Sequence, residues 1–198
     1  MSKLLLVRHG QSEWNATGRW QGIADPPLTD LGVHQAQTAA RSLGVFDLIA
    51  SSNLQRANRT AEIIASAIGV GPVLVEPELR ERDAGEWQGL TKDEIEAQWP
   101  GYLADNRWPP GYEGDDSVSE RAISALARLS AQLAGGTGLV VVHAGVIYNV
   151  EALAGMPFER IPNLGGRWIE LSPEKIEAGE RVLLIDPDSV EATVPDQI

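Results

Sequence analysis

Apolar and polar residues alternate along this chain in two rhythms, and the switches between them outline an alternating strand and helix plan. Leu4-Leu5-Leu6-Val7 is a short apolar run of the kind that forms a buried strand of a parallel sheet. Thr29 then caps a predicted helix whose apolar positions Val33, Ala36, Ala40 and Leu43 recur at steps of three and four. Leu48-Ile49-Ala50 predicts a second strand. Leu54, Ala57, Ala61, Ile64 and Ile68 mark a second helix, and Val73-Leu74-Val75 a third strand. From Leu90 to Gly114 the rhythm breaks. Trp99, Trp108 and Pro109-Pro110-Gly111 there predict short helical pieces and a loop. Ser117 and Glu120 have the spacing of a capping box. The helix they would open buries Ala122, Leu126, Leu129 and Leu133 and ends at Gly135-Gly136. Leu139 to Val142 predicts a fourth strand, Gly145 to Ala154 a short helix, and Arg167 to Leu171 and Val182 to Ile185 two late strands. This is an α/β pattern without internal repeats. It predicts a single domain over residues 1–186, with an acidic, poorly ordered tail at 187–198.

The predicted strands direct attention to their carboxyl ends, where open α/β sheets place ligands. Arg8-His9-Gly10-Gln11 follows the first strand, Ser51-Ser52 and then Arg56 follow the second, and His143 follows the fourth. The third leads, slightly later, to Glu81. On one edge of a parallel sheet these loops can share a pocket. An Arg and a His delivered together, with Gly10 allowing an unusual backbone turn, make an anion site that contains a nucleophile.

Composition narrows the chemistry. The 198 residues carry a formal net charge of −12 and a pI of about 4.6, which argues against nucleic acid or an anionic membrane as partner. A phosphate site in such a chain must be a local concentration of Arg and His. There is no cysteine, so neither disulfide nor thiolate chemistry enters. His9, His34 and His143 lack metal-ligand spacing. The apolar run near the start is too short for a signal peptide, and no stretch approaches the roughly 20 apolar residues of a membrane helix. A cytoplasmic protein is expected.

With Ser12, Trp14 and Asn15 the first loop reads Arg-His-Gly-x-Ser-x-Trp-Asn. This resembles the signature of the histidine phosphatase superfamily, the phosphoglycerate-mutase-like proteins. Ser51-Ser52-Asn53-Leu54-Gln55-Arg56-Ala57-x-x-Thr60-Ala61 is similar to the family's second Arg motif, and Val142-His143-Ala144-Gly145 to its second His motif. Leu79-Arg80-Glu81-Arg82-Asp83-Ala84-Gly85-Glu86-Trp87-Gln88-Gly89 is similar to Leu-x-Glu-x-x-x-Gly-x-Trp-x-Gly. The resemblance covers nearly the whole chain. It implies a three-layer αβα sandwich around a mostly parallel central sheet, phosphoglycerate mutase-like.

The resemblance implies roles that fit the chemistry of each residue. His9 would attack phosphorus and carry it as phosphohistidine. Arg8 and Arg56 would clamp phosphate oxygens with their planar forks, with Arg59 as the rival of Arg56. His143 would stabilise the transition-state oxygens, charged or as a donor, and the Ala144 and Gly145 amides would add to it. Relatives often have His-Gly-Gly, and Ala144 is tolerable unless its backbone needs positive φ. Glu81 would act as general acid and then base. On chemistry alone Glu78, Asp83 and Glu86 compete with it, and only the spacing to Gly85, Trp87 and Gly89 selects it. Asn15 would contact the phosphate, with Gln21 and Gly22 at the rim. His34 is expected to be an exposed helix residue. No metal or other cofactor is expected, because two Arg and two His supply the charge.

The expected activity is metal-independent hydrolysis of a small phosphorylated metabolite. The alternatives are a cofactor-dependent phosphoglycerate mutase and a non-enzymatic phosphate-binding or scaffold protein. Against the mutase, the stretch Gln98 to Ser117 is short, and Arg107 is its one basic residue beside Glu113, Asp115 and Asp116. Trp99, Tyr102 and Trp108 suggest an uncharged or weakly charged organic group on aromatic side chains. A homodimer is compatible with the sequence but not demanded by it.

Overall fold

A computed structural model describes residues 2–172 and 175–195. The elements follow in the order β1 (Lys3–Arg8), α1 (Glu13–Ala16), α2 (Asp30–Ser42), β2 (Leu48–Ser51), α3 (Gln55–Ile68), β3 (Leu74–Val75), α4 (Lys92–Gln98), α5 (Asp115–Leu133), β4 (Thr137–Val142), α6 (Ala144–Leu153), β5 (Gly165–Leu171) and β6 (Ile176–Leu183). One sheet runs β3-β2-β4-β1-β5-β6. β1, β2, β3 and β4 are mutually parallel, and β5 and β6 continue the sheet antiparallel.

The three layers follow from the period-two alternation of the central strands. Leu4, Leu6, Val140 and Val142 turn to one face and pack with Ala122, Leu126 and Leu129 of α5 and Val146 and Ile147 of α6. Leu5, Val7, Leu139 and Val141 turn to the other and pack with Ala39 and Ala40 of α2 and Ala57, Ala61 and Ile64 of α3. β1 and β4 are therefore apolar without interruption because both faces are covered. A third, smaller cluster of Trp20, Ala84, Trp87 and Ile95 lies under the loops, with Trp99 and Tyr102 packed against it. No helix is long and apolar enough to cross a membrane, among the described residues.

Three expectations need correction. Helix α5 starts at Asp115 with Gly114 as its N-cap. Ser117 does not cap it, and its hydroxyl donates to Glu113 Oε1 at 2.8 Å. A real capping box sits at Thr91 and Glu94, opening α4. The last strand is Ile176–Leu183, not Val182–Ile185. It is a half-exposed edge strand of alternating character, so an apolar run does not mark it. Leu184 and Ile185 instead leave the sheet to join the core on the α2–α3 side. Finally, residues 187–195 do not trail away. Val190 is buried in that same core, the Asn163 amide donates to Thr193 O at 2.9 Å, and Gln35 Nε2 donates to Glu191 O at 2.8 Å. Residues 196–198 of the expected tail lie outside the described residues.

Candidate active site

Strand register brings the chemistry together. Arg8 pairs with Val142 across β1 and β4, and Ser51 with Val141 across β2 and β4. One step further along, the His9 amide donates to Val142 O at 3.0 Å and the Ser52 amide to Val141 O at 3.1 Å. His9, Ser52 and His143 thus leave three adjacent parallel strands at one level. The rings of His9 and His143 lie 5.2 Å apart, centre to centre, at 62°.

The loop after β1 is held from several sides. The Gly10 amide donates to Thr60 Oγ1 at 3.1 Å, and that hydroxyl donates to Arg56 O at 2.7 Å. The Gln11 amide donates to Gln35 Oε1 at 2.8 Å, and Asn163 Nδ2 donates to His9 O at 2.8 Å. Gly10 has no positive φ, so the expected unusual turn is absent. Glycine is needed because a Cβ would stand 2.6 Å from Gly32 O.

His9 is buried, and its Nδ1–H donates to Gly10 O at 2.6 Å. That bond fixes the tautomer and leaves the lone pair on Nε2. Burial, then Arg56 and Arg8, push its pKa well below the ordinary histidine value. His143 is depressed in the same way by burial, Arg56 and His9. Its Nε2 meets Ser52 Oγ at 2.8 Å. Ser52 Oγ also accepts from the Leu54 amide at 3.2 Å. With the Ser52 proton on Nε2, the His143 proton sits on Nδ1, which has no partner. Of the two forms open for His143, the neutral donor fits its surroundings.

Arg8 and Arg56 are buried and held by carbonyl oxygens. Arg8 Nη1 donates to Ile161 O at 2.7 Å. Arg56 Nη1 and Nη2 donate to Ala24 O and Gly22 O at 2.7 and 2.9 Å. Each has a buried Nε–H without a partner. Burial pushes the Arg56 guanidinium down to about 10, against the pull of Glu81 and Asp25. Its rival Arg59 is exposed and pairs with Glu62 at 3.1 Å.

Glu81 reaches the same place from the segment after β3. Its two oxygens accept from the Arg82 and Gly145 amides at 2.8 and 3.1 Å. Arg121 of α5 secures the segment by donating to the carbonyl oxygens of Glu78, Arg80 and Glu81. It also donates twice to Glu113, each at 2.8 Å. Burial alone would raise the Glu113 carboxyl, but the bonds from Arg121 and Ser117 hold it at about 2. The chemical rivals of Glu81 stand elsewhere: Glu78 pairs with Arg128, Asp83 accepts from the Gly85 amide, and Glu86 is exposed.

Arg8, His9, Asn15, Gln21, Gly22, Arg56, Glu81 and Ala144 all line one cavity of about 30 Å³. His143 is not among the lining residues and stands behind the His9 ring, centres 5.2 Å apart. Asn15 Oδ1 accepts from the Ser12 amide at 3.2 Å, while its buried Nδ2 has no partner. Gln21 Oε1 accepts from Ser12 Oγ at 2.7 Å. Ala144 opens α6 without positive φ, so its methyl brings no backbone strain. His34 is exposed on α2. Among the described residues no group of three or more His, Cys, Asp or Glu gathers as a metal-binding set.

Sequence reasoning missed Arg82, Trp20 and Ala84, which also line the cavity. Arg82 is buried, ion-paired to Asp115, and donates to Glu113 O at 2.7 Å. It occupies an unspecified position of the Glu81 motif, so no spacing marks it. Trp99 and Tyr102 do not line the cavity and pack on the loop cluster.

The family profile for the histidine phosphatase superfamily, branch 1, matches residues 4–184. A glucosyl-3-phosphoglycerate phosphatase of Mycolicibacterium vanbaalenii is 38% identical over 189 residues, 86% of this chain and 84% of its own. A 2,3-bisphosphoglycerate-dependent phosphoglycerate mutase of Methylobacterium radiotolerans is 37% identical over 177 residues, 81% of this chain and 83% of its own. The solved structure of mycobacterial glucosyl-3-phosphoglycerate phosphatase with VO3 is similar at a TM-score of 0.80 and 31% identity, over 89% of this chain and 96% of that one.

Proposed function

Because the chain belongs to branch 1 of the histidine phosphatase superfamily, we propose that it hydrolyses small phosphomonoesters through a phosphohistidine. The observation that carries this reading is a neutral His9 with a free Nε2 beside two buried arginines whose Nε–H groups lack acceptors. An unpaired buried donor costs about 1–3 kcal/mol, and phosphoryl oxygens would remove that cost. The cavity of about 30 Å³ takes the phosphoryl group and leaves the rest of the ester outside.

His9 Nε2 attacks phosphorus as the bond from phosphorus to the ester oxygen breaks. The Glu81 carboxyl gives its proton to the departing oxygen. Arg8, Arg56, Asn15 and the His143 Nδ1–H bind the three equatorial oxygens, where charge is spread in the transition state. Water then attacks the phosphohistidine and gives its proton to Glu81, and His9 leaves with its electron pair. Orthophosphate departs, and both residues return to their starting forms.

The names of relatives support a phosphatase acting on a small phosphorylated metabolite. The 37% identical mutase keeps phosphoryl return to a second ligand as the other reading. Against it, Arg107 is the one basic residue of the Gln98 to Ser117 stretch, and it already pairs with Asp105 at 3.1 Å and lies over the Tyr102 ring. We propose the cytoplasm as its compartment, and a homodimer is compatible with the reading.

The test is phosphoryl labelling. A labelled phosphomonoester mixed with the protein and stopped in alkali, where phosphohistidine survives, should leave label on His9. His9→Ala should carry none and release no phosphate. Label on the His9→Ala protein would sink the reading. Rapid exchange of 2- and 3-phosphoglycerate that depends on 2,3-bisphosphoglycerate, followed by ³¹P NMR, would favour the mutase.

A further inference from the structure

A second hollow of about 240 Å³ adjoins the phosphoryl cavity. The two share Arg82. Gly145, whose amide holds Glu81, belongs to the wall of the larger one. If Glu81 protonates the departing oxygen, the departing group rests beside Glu81, and this hollow is the space there. The inference therefore rests on the phosphatase reading above.

The wall is aromatic where it is open. Trp108 and Tyr112 are stacked, with ring centres 4.4 Å apart and 5° between planes. Tyr148 and Phe158 meet edge to face at 4.9 Å. Trp108 is 45% and Phe158 65% exposed. Large apolar side chains left open around a concave site are what an apolar ligand covers.

Most polar groups of the wall are engaged, although the buried Arg82 Nε–H has no partner. Asn149 Nδ2 donates to Gly145 O at 2.8 Å, and its Oδ1 accepts from Ser119 Oγ at 3.3 Å. Tyr148 Oη accepts from the Ile161 amide at 2.9 Å. The buried Glu151 carboxylate is held by Arg167 and Arg181 at 2.7 and 2.6 Å. Arg82 is paired with Asp115. Both carboxylates of this wall, Asp115 and Glu151, are ion-paired. A charged leaving group would lose its water here for little more than the Arg82 Nε–H, which also lines the phosphoryl cavity, so an uncharged one is favoured.

The geometry points to a leaving group that is flat and uncharged: the preferred substrate is the phosphate ester of an alcohol carrying an aromatic or heteroaromatic ring. The ring lies against the Trp108–Tyr112 stack while the phosphoryl group enters the inner cavity. A stacked pair contributes about 0.5–1.5 kcal/mol beyond its buried area, and 1.4 kcal/mol is tenfold in affinity.

The experiment compares kcat/KM for benzyl phosphate, glycerol 3-phosphate and 3-phosphoglycerate. All three are esters of weakly acidic alcohols, so leaving-group acidity does not decide the order. Benzyl phosphate should exceed glycerol 3-phosphate by roughly tenfold, with 3-phosphoglycerate the poorest. Trp108→Ala should cut the benzyl-to-glycerol ratio about tenfold through KM, and Trp108→Phe should restore most of it. The inference is overturned if 3-phosphoglycerate matches benzyl phosphate, or if Trp108→Ala slows all three esters equally. If none is hydrolysed, the phosphatase reading fails, and calorimetry still judges the hollow. Benzylphosphonate binding more tightly than phosphonoacetate upholds it, and equal binding overturns it.

Discussion

Gly145→Ala should separate catalysis from stability. Gly145 is the second residue of α6, and a Cβ built there falls inside contact distance of Glu81 Oε1 and 3.2 Å from its Cδ. Relief requires the carboxylate to move by about 1 Å, away from the Gly145 amide that it accepts from at 3.1 Å. The obstacle is the far end of a side chain rather than backbone, so little strain stays in the fold. Losing that hydrogen bond costs about 1 kcal/mol, and replacing a helical glycine by alanine returns about 0.5–1 kcal/mol. The net change in Tm should stay within about 3 °C. The catalytic cost is of another size, because a displacement of about 1 Å can cost roughly 100-fold and general acid catalysis contributes about 10²–10⁴. The assay compares an alkyl phosphate, whose poor leaving group needs a proton, with 4-nitrophenyl phosphate, whose leaving group needs little help. In kcat/KM, which covers the steps through loss of the leaving group, the alkyl ester should fall about 100-fold and the nitrophenyl ester less than about fivefold. Equal losses for both esters, or an unchanged alkyl ester in a folded variant, would refute the role given to Glu81.

The two site histidines set an acid limit on stability. Both titrate lower in the folded chain than in the unfolded one, where pKa is near 6.5, so below that pH the unfolded chain binds more protons. Stability should be unaffected by them above about pH 7.5. It should fall on acidification with a slope approaching about 1.4 kcal/mol per pH unit for each histidine. Urea midpoints from pH 8 to 5 for the protein and for His9→Gln check this, and an unchanged slope in the variant counts against it. Ser52→Ala removes the hydroxyl that faces His143 Nε2 and should lower kcat/KM about tenfold while the nitrogen chemical shifts of His143 report a changed tautomer. A normal kcat/KM with a changed tautomer would show that the Nδ1–H is not used. Thr193→Val removes a hydroxyl that donates to Asn163 Oδ1 at 2.5 Å and accepts from Gln35 Nε2 at 3.4 Å. Both partners hold the His9 loop, so kcat should drop roughly three- to tenfold with KM nearly unchanged. A change in KM alone would contradict that linkage.

Some of this was legible in the sequence because it depends on one element at a time. Leu4 to Val7 and Leu139 to Val142 are apolar throughout, since both faces of the inner sheet are covered, and the residue following each run lands at a strand end. Arg56 and Glu81 were legible through the resemblance of their segments to the family's motifs, and both line the cavity. What was hidden depends on pairing between distant segments. Arg82 enters the cavity because Asp115 and the Glu113 carbonyl hold it, thirty residues on. Residues 187–195 are acidic and read as a tail, yet Val190 fills a core gap and Thr193 bonds to Asn163. β6 alternates like any solvated edge strand. Gly10 looked like a turn residue, whereas it is the backbone of Gly32, across the first loop, that leaves no room for a Cβ.

The proposed phosphate site in a chain of net charge −12 is at odds with electrostatics until the arginines are sorted by partner. Arg82 and Arg167 are buried against carboxylates, those of Asp115 and Glu151. Arg121 is paired with Glu113, and Arg181 with Glu151. Of these only Arg82 reaches the cavity, where its Nε–H has no partner; the other three serve the architecture. Arg8 and Arg56 are also buried, but carbonyl oxygens of Ile161, Gly22 and Ala24 hold them. A carbonyl dipole orients a guanidinium without cancelling its charge. Glu81 faces the same cavity, yet its oxygens are taken by two backbone amides rather than by either arginine. The two histidines stay neutral and add donors without adding charge to be desolvated. Surface carboxylates act on this place through water and salt, whose screening length is about 8 Å, while the arginines act at contact in a dry cavity where each hydrogen bond is strengthened. The overall charge therefore governs how often an anion approaches, and the choice of carbonyl over carboxylate partners governs whether it is held.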